Sequence, residues 1–186
     1  MARILVTGGT GYIGSHTVVE LMQQGYDVTI VDNLSNSSVD VLDGISAIVG
    51  RRPEFANIDC NDYVSMEAVF KQYPDIVGVI HFAASKAVGE SVEKPLMYYR
   101  NNLGSLITLL EVMRRYHVYN IVFSSSCTVY GQPDKDHLPV DETAPIQKAL
   151  SPYGNTKQIN EDIIYDEAHA DSSLHATILR YFNPIG

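Results

Sequence analysis

The glycine-rich stretch at residues 2–14, ARILVTGGTGYIG, constrains the fold of this chain more than any other segment. Its first part is rich in Ile and Val and predicts a buried strand, and a helical pattern follows the glycines. The glycines fit two nucleotide-binding registers, which start at Gly8 and Gly9 and share Gly11 and Gly14. In either register, glycine allows positive φ angles and lets the backbone approach a pyrophosphate at the helix N-terminus. The stretch therefore predicts a dinucleotide site.

A second apolar run ends at Asp32, 18 residues after Gly14. A carboxylate at the end of the second strand can accept hydrogen bonds from ribose hydroxyls and would repel a 2′-phosphate. Arg51 and Arg52, which could accept such a phosphate, lie beyond the following helical pattern. Asp32 thus favours NAD over NADP, although an Asp before Asn33 also fits an ordinary turn.

Strand and helix patterns alternate along the whole chain. The predicted strands are residues 3–7, 28–31, 54–58, 76–82, 120–124 and 174–181. The predicted helices are residues 12–24, 39–49, 63–72 and 96–117, and a fifth helix that begins at Ser151-Pro152. This alternation predicts an α/β fold, a Rossmann-like doubly wound parallel sheet with helices on both faces.

Ligands of such sheets bind outside the carboxyl ends of the strands. Asp32, Asp59, the small residues 83–86 and the serines 124–126 are all expected at those ends. The segment 131–151 contains three prolines and is too long for an ordinary connection, so we expect it to form a wall of the site.

Composition and charge exclude several classes of protein. With 22 acidic and 13 basic residues the net charge is −9, and no basic cluster points to nucleic acid. Cys60 and Cys127 form no C-x-x-C motif and the six His show no metal-ligand spacing, so we expect no disulfide and no metal. His81, between apolar neighbours, is expected to be a hydrogen-bonded core residue. No signal peptide or 18-residue apolar run appears, which predicts a soluble, cytoplasmic protein.

Tyr153 and Lys157 are four residues apart on the last predicted helix and share one face. A neighbouring ammonium and the helix N-terminus are expected to lower the pKa of Tyr153. Such a Tyr can act as an acid or base on an alcohol hydroxyl, and Ser126 adds a second hydroxyl at the end of the fifth strand. A Y-x-x-x-K pair also occurs by chance on solvated helices. The serines at residues 124–126 therefore provide the second observation that favours a functional pair.

The glycine stretch, Asp32, the serines and the Tyr-Lys pair, in this order, resemble the extended short-chain dehydrogenase/reductases, and within them the UDP-hexose 4-epimerases. The similar segments span the chain and read TGGTGYIGSHT, VDNLSNS, HFAASKAVGESVEKP, FSSSCTVYG, SPYGNTK and RYFNPIG. The resemblance implies NAD-dependent epimerisation at C4 of a UDP-hexose, UDP-galactose to UDP-glucose, through a transient 4-keto sugar. Ala84-Ser85 and Asn155-Thr156 depart from the commonest family pattern, and the first departure could alter how Lys86 is presented.

The resemblance also implies a role for individual residues. Tyr153, Lys157 and Ser126 would be catalytic, and Ser126, Tyr153 and Asn183 would contact the UDP-hexose. The residues implied for NAD are Gly8, Gly11, Tyr12, Ile13, Gly14, Asp32, Asn33, Asn36, Ser37, Asp59, Cys60, Phe82, Ala83, Ala84, Ser85, Lys86, Asn101, Ser126, Tyr153, Lys157 and Phe182.

Residues 1–186 are expected to form one NAD-binding domain that carries the Tyr-Lys pair, without the C-terminal substrate domain of the family. A non-catalytic NAD-binding fragment, or another nucleotide-sugar-modifying enzyme, are the alternatives. A 4,6-dehydratase would require an acidic pair where this chain has Cys127-Thr128. The helix at residues 96–117 is a candidate homodimer face, although a core-facing stripe explains its leucines as well.

Overall fold

The computed structural model describes residues 2–185, so Met1 and Gly186, the ends of the predicted domain, lie outside the described residues. Six parallel strands form one sheet in the order β3-β2-β1-β4-β5-β6. The strands are β1 Arg3–Thr7, β2 Asp27–Val31, β3 Glu54–Ala56, β4 Ile76–His81, β5 Asn120–Ser126 and β6 His175–Tyr181. The helices are α1 Tyr12–Gln23, α2 Val41–Val49, α3 Tyr63–Gln72, α4 Val88–Glu93, α5 Pro95–Arg115 and α6 Pro152–Ala170. Short 3-10 helices cover Cys127–Tyr130 and Lys135–His137.

This strand order confirms the predicted doubly wound sheet. The chain runs from β1 outward to β3 and then returns to place β4 on the other side of β1. The order therefore reverses between β1 and β4, and a crevice opens at the carboxyl ends of these strands.

Helices cover both faces of the sheet because each helix buries one apolar stripe. Val18 and Met22 of α1 pack with Leu42 and Ile45 of α2 on one face. On the other face, the core contains residues of α3, α5 and α6, with Leu109 of α5 fully buried. Strands covered on both sides need continuous apolar runs, as the sequence shows.

Several predicted boundaries were wrong by a few residues. β3 ends at Ala56 instead of residue 58, because it is an edge strand whose ladder has three residue pairs, all with β2. β5 continues to Ser126 because β6 pairs with it along its whole length. The helix α4 was not predicted, since six residues give too short a pattern for periodicity to reveal.

No helix among residues 2–185 is long and apolar enough to cross a membrane.

In the turn after β1, a Cβ on Gly9 would meet the Ile30 side chain at 2.8 Å, whereas a Cβ on Gly8 or Gly14 would meet backbone atoms, which cannot move aside. Gly8 has φ +70°, and a Cβ built there would lie 2.7 Å from the backbone nitrogen of Ala83. A Cβ on Gly14 would collide with the carbonyl oxygen of Gly8 and lie 2.9 Å from the Cα of Gly9. The chain thus uses the register Gly8, Gly11, Gly14, in which β1, α1 and the exit of β4 approach closely.

We predict that Gly8→Ala destabilises the chain more than Gly50→Ala. Gly50 also has positive φ, +80°, but no atom lies within 4 Å of the position that a Cβ would occupy, so Ala there incurs the left-handed backbone cost alone, about 1–2 kcal/mol. At Gly8 the collision with Ala83 adds to that cost. Urea unfolding of both variants measures the difference, and equal losses of unfolding free energy would contradict the close approach.

Candidate active site

The loops that leave β1, β2 and β4 are tied together at the carboxyl edge of the sheet. The Gly8 backbone nitrogen donates to the carbonyl oxygen of Val31 at 2.8 Å, and that of Phe82 donates to the carbonyl oxygen of Thr7 at 3.0 Å. The three exits therefore line one groove, as the parallel topology requires.

The N-terminus of α1 faces this groove with free donors. Its N-cap is Gly11, which has no side chain and makes no side-chain cap hydrogen bond. The first backbone N–H groups of a helix, here including those of Tyr12 and Ile13, have no partner within the helix. Small residues and unpaired donors at the positive end of a helix dipole fit a pyrophosphate.

Asp32 follows β2 directly, and its carboxylate is held over the glycine turn. One oxygen accepts from the backbone nitrogen of Thr10 at 3.2 Å, and the other accepts from that of Leu34 at 2.9 Å. The Ser37 hydroxyl lies 2.7 Å from the Thr10 hydroxyl and 3.3 Å from the carboxylate. The turn interpretation and the binding interpretation of Asp32 are therefore compatible, because these bonds orient the carboxylate at the groove.

The two arginines after α2 lie elsewhere. Arg51 binds Asp27, at the opposite end of β2, at 2.7 Å, and also donates to the carbonyl oxygen of Tyr26. Arg52 pairs with Asp43 of α2. Both guanidinium groups are thus held by partners other than Asp32, as the sequence positions indicated.

A chain of hydrogen bonds joins the loop after β3 to the turn after β4. The Asn61 side chain donates to Asp59 at 2.9 Å and to Asn101 at 3.1 Å, and Asn101 donates to Ser85 at 3.1 Å. Cys60, next in sequence to Asp59, is buried, and burial, followed by the nearby carboxylates, raises the pKa of its thiol to about 12. Of the predicted residues, Asn101 and Ser85 are thus bonded directly, and Asp59 is connected to Asn101 through Asn61.

Asn102 holds the turn after β4 and was missed by sequence reasoning. Its side chain accepts from the Ser85 nitrogen at 2.9 Å and donates to the Ser85 carbonyl oxygen at 2.9 Å and to Thr156 of α6 at 3.1 Å. It is 1% exposed. A polar residue in the apolar stripe of α5 was the signal that could have identified it.

Ser151 begins α6 as predicted, accepting from the Gly154 nitrogen at 3.1 Å. This cap places Tyr153 in the first turn of the helix, beside Ser126 at the end of β5. The Ser126 side chain also accepts from the Thr128 nitrogen at 3.2 Å, which fixes its position. Two hydroxyls that can exchange a proton with a substrate hydroxyl therefore stand together.

Lys157 lies one turn further along α6 and is 3% exposed. Its ammonium donates to the carbonyl oxygen of Ser124 at 2.6 Å and lies 4.8 Å from the centre of the Phe123 ring and 5.9 Å from that of Tyr153. Burial lowers the pKa of Lys157 to about 8, and the charge of Glu161 opposes this. The side chain is thus mostly protonated at neutral pH.

The expected lowering of the Tyr153 pKa was wrong for the chain described here. Burial raises the pKa of Tyr153, and the hydrogen bond with Ser126 opposes the rise by a smaller amount. The Lys157 ammonium is bonded to the Ser124 carbonyl instead of the Tyr153 hydroxyl. Sequence spacing predicts a shared helix face, but it does not reveal the depth of burial.

Other predicted residues lie at the edge of the groove with exposed side chains. The Phe82 ring lies 6.4 Å from the Tyr181 ring, so the exits of β4 and β6 are neighbours and bring Phe182 and Asn183 to this side. The exposed members of the predicted set are Tyr12, Asn33, Asn36, Asp59, Lys86, Phe182 and Asn183.

His81 is a core residue, as predicted. It is 2% exposed, and its Nδ1 lies 2.7 Å from the Thr7 hydroxyl. Burial lowers the pKa of His81 to about 3, so the ring is neutral at ordinary pH.

Comparison with known proteins agrees with this arrangement. The chain is 50% identical to a UDP-glucose 4-epimerase of Schizosaccharomyces pombe, with 98% of this chain and 52% of the relative covered. It is 47% identical to the human UDP-glucose 4-epimerase, with 99% of this chain and 54% of the relative covered. The chain therefore spans about half the length of these relatives.

A solved structure extends the likeness to the fold. The UDP-glucose 4-epimerase of Bifidobacterium longum, in complex with NAD+ and UDP, superposes with a TM-score of 0.96 at 47% identity, covering 100% of this chain and 54% of that one. The model of the NAD dependent epimerase/dehydratase family matches residues 4–186. With the glycine turn, Asp32 and the Tyr153–Lys157 face in place, the chain belongs to the NAD dependent epimerase/dehydratase family.

Proposed function

We propose that this chain forms the NAD-binding and proton-transfer part of an epimerase that acts at C4 of a UDP-hexose and interconverts UDP-galactose and UDP-glucose. The observation that carries the proposal is the position of Tyr153, Ser126 and Lys157 at the same sheet edge as the glycine turn and Asp32. The names of the similar proteins, UDP-glucose 4-epimerases, support the substrate class.

In this proposal each side chain has a defined task. Tyr153 takes the proton of the sugar 4-hydroxyl and later returns one, and Ser126 bonds the same hydroxyl and assists the transfer. Lys157 holds a ribose hydroxyl and keeps a positive charge beside Tyr153. NAD, when bound, supplies the hydride acceptor and donor that a transient 4-keto sugar requires. Asn183 contacts the sugar from the exit of β6.

The binding part of the proposal rests on the fit of the groove to a dinucleotide. The free N–H groups of α1 would hold the pyrophosphate, Asp32 and Ser37 would bind the adenosine ribose, and Asp59 with Cys60 would contact the adenine. Residues 82–86 and Phe182 would contact the nicotinamide. The direct experiment is mass spectrometry of the supernatant of the denatured protein, in which we expect NAD.

We predict that the chain binds NAD more tightly than NADP, because the oriented Asp32 carboxylate favours ribose hydroxyls and repels a 2′-phosphate. Asp32→Asn should weaken NAD binding about tenfold or more, since a charge-assisted hydrogen bond contributes about 1.5–3 kcal/mol. It should also reduce the ratio of NAD affinity to NADP affinity. Calorimetric titration with both nucleotides measures this, and Asp166→Asn, an exposed acid on α6, is the matched control. Equal or tighter NADP binding by the unchanged chain would contradict the assignment.

We predict that Tyr153→Phe, in a chain long enough to turn over, lowers the epimerisation rate by about 10² to 10⁴-fold, the usual contribution of general acid/base catalysis. NAD affinity should stay close to that of the unchanged chain, because the ring is retained. Tyr165→Phe makes the same change on the same helix at a 57% exposed position and should leave the rate unaltered. A nearly unchanged rate in Tyr153→Phe would remove Tyr153 from the mechanism.

We further propose that the 186 residues are the NAD-binding domain and that grip on the uridine diphosphate comes from a separate substrate domain. The coverage of about half of each relative supports a division of this kind. The exposed Leu179 of β6 and Phe182 are apolar groups that a second domain could cover. A non-catalytic NAD-binding fragment is the second candidate function, and the same coverage of about half of each relative supports it.

On that basis we predict that the isolated chain binds NAD but turns over UDP-galactose slowly. Loss of three or four charge-assisted bonds to the diphosphate, each about 1.5–3 kcal/mol, would abolish useful affinity. A coupled assay for UDP-glucose measures the turnover. Rates near the enzymatic median of about 10 per second would show that the chain needs no further domain.

A homodimer through α5 also belongs to the proposal. Leu96 and Ile107 are 80% and 43% exposed, and residues eleven apart lie on the same side of a helix. The core-facing side of α5, which includes Leu109, is already occupied. We predict that Ile107→Glu shifts the sedimenting species to the monomer, whereas Val64→Glu, at an exposed position of α3, does not. A monomer in the unchanged chain would exclude this contact.

A further inference from the structure

The helix α6 carries a third ionisable group in line with Tyr153 and Lys157. Glu161 lies one turn beyond Lys157, at the same four-residue spacing, and therefore shares their face of the helix. It is 2% exposed, which is rare for a carboxylate. The proposed reaction gives it no task.

Both oxygens of Glu161 are held by partners on two neighbouring strands. Oε1 accepts from the Ser125 hydroxyl at 2.5 Å and from Nε of Arg180 at 3.1 Å, and Oε2 accepts from Nη2 of Arg180 at 2.7 Å. Ser125 and Arg180 are register partners across β5 and β6. The carboxylate thus connects α6 to β6 through a bidentate pair with Arg180 and to β5 through the Ser125 hydroxyl.

Arg180 extends the connection to the 3-10 helix that follows Ser126. Its Nη1 donates to the Tyr130 hydroxyl at 3.0 Å, and its guanidinium carbon lies 5.0 Å from the centre of the Tyr130 ring. Each guanidinium nitrogen of Arg180 donates one bond, and both oxygens of Glu161 accept. An ion pair whose carboxylate is buried and bonded at both oxygens holds its elements in a fixed geometry.

We propose that Glu161 and Arg180 are positioning residues, which anchor the Tyr153–Lys157 face of α6 on β5 and β6 and set the electrostatic environment of the Lys157 ammonium. The geometry carries this, since Glu161, Ser125 and Arg180 meet one helical turn from Lys157. The inference rests on the proposed function in that Lys157 is assigned a task there.

The charges around Lys157 have opposing effects. Burial favours the neutral amine, and the negative charge of Glu161 favours the ammonium. Arg180, on β6, neutralises part of that negative charge through the ion pair. The groups that face Lys157 or lie on the elements packed against α6 are Tyr153 and Glu161 on α6, neutral His81 on β4, Arg180 on β6, Tyr98 on α5, Glu90 on α4, and Cys127 and Tyr130 on the 3-10 helix.

Two substitutions should therefore move the Lys157 titration in opposite directions. Glu161→Gln removes the attraction and leaves the positive charge of Arg180, so the midpoint should fall by about one pH unit. Arg180→Met leaves the Glu161 charge uncompensated, so the midpoint should rise. A purely structural role would loosen the packing in both variants and move both midpoints the same way, toward the ordinary lysine value.

The test is an NMR titration of the chain with ¹³C-labelled lysine, read at the ε-carbons between pH 6 and 11 without added NAD. Lys157→Met assigns the resonance, because that resonance disappears. Glu167 also lies on α6, and it pairs with Arg114 of α5 at a more exposed position. Glu167→Gln is therefore the matched control and should leave the Lys157 midpoint unchanged. Because NAD is removed beforehand, the result does not depend on whether the chain catalyses epimerisation.

A fall in Glu161→Gln together with a rise in Arg180→Met supports the proposal. Unchanged midpoints, or shifts in the same direction, overturn it. Circular dichroism establishes that each variant is folded. If Glu161→Gln does not fold, Arg180→Met is compared with Arg180→Lys, which keeps the positive charge but loses the bidentate bond. A rise in Arg180→Met that Arg180→Lys does not share supports the proposal, and any other result overturns it.

Discussion

The close approach of Gly8 to the exit of β4 is the contact on which the geometry of the groove depends. Gly8 has no Cβ, and a Cβ there would lie 2.7 Å from the Ala83 nitrogen. Glycine therefore allows the turn after β1 and the turn after β4 to meet backbone to backbone. This contact sits at the point where the strand order reverses, between β1 and β4. The N-terminus of α1, Asp32 and residues 82–86 all take their positions relative to it.

Around that contact, polar side chains connect loops that are distant in sequence. Asn61 and Asn101 join the loop after β3 to Ser85, and Asn102 joins Ser85 to α6 through Thr156. Each of these bonds satisfies a group that would be costly to bury alone. The same network that lowers the cost of burial also holds the groove in one shape, which suits a site that must orient a long nucleotide.

The face of α6 concentrates ionisable groups in a poorly solvated region. Tyr153, Lys157 and Glu161 lie on three successive turns. Burial raises the pKa of Tyr153 and lowers the pKa of Lys157. Both shifts favour the uncharged forms, so the compensating charges decide the protonation states. The negative charge of Glu161 favours the Lys157 ammonium, and Glu161 is itself paired with Arg180, so the proposed anchor of α6 on β5 and β6 also bears on the charge of Lys157.

Sequence alone determined the class of fold, the glycine turn, the Asp32 position and the shared face of Tyr153 and Lys157, since each depends on local spacing and periodicity. It misplaced the end of β3 because edge pairing decides where a short strand stops, and it missed α4, Asn102 and the Glu161–Arg180 pair. It also gave the wrong direction for the Tyr153 pKa, because burial depth depends on α5, α6 and β5 packing together. Which glycine register is used was likewise decided by tertiary structure, through the distance from Gly8 to Ala83.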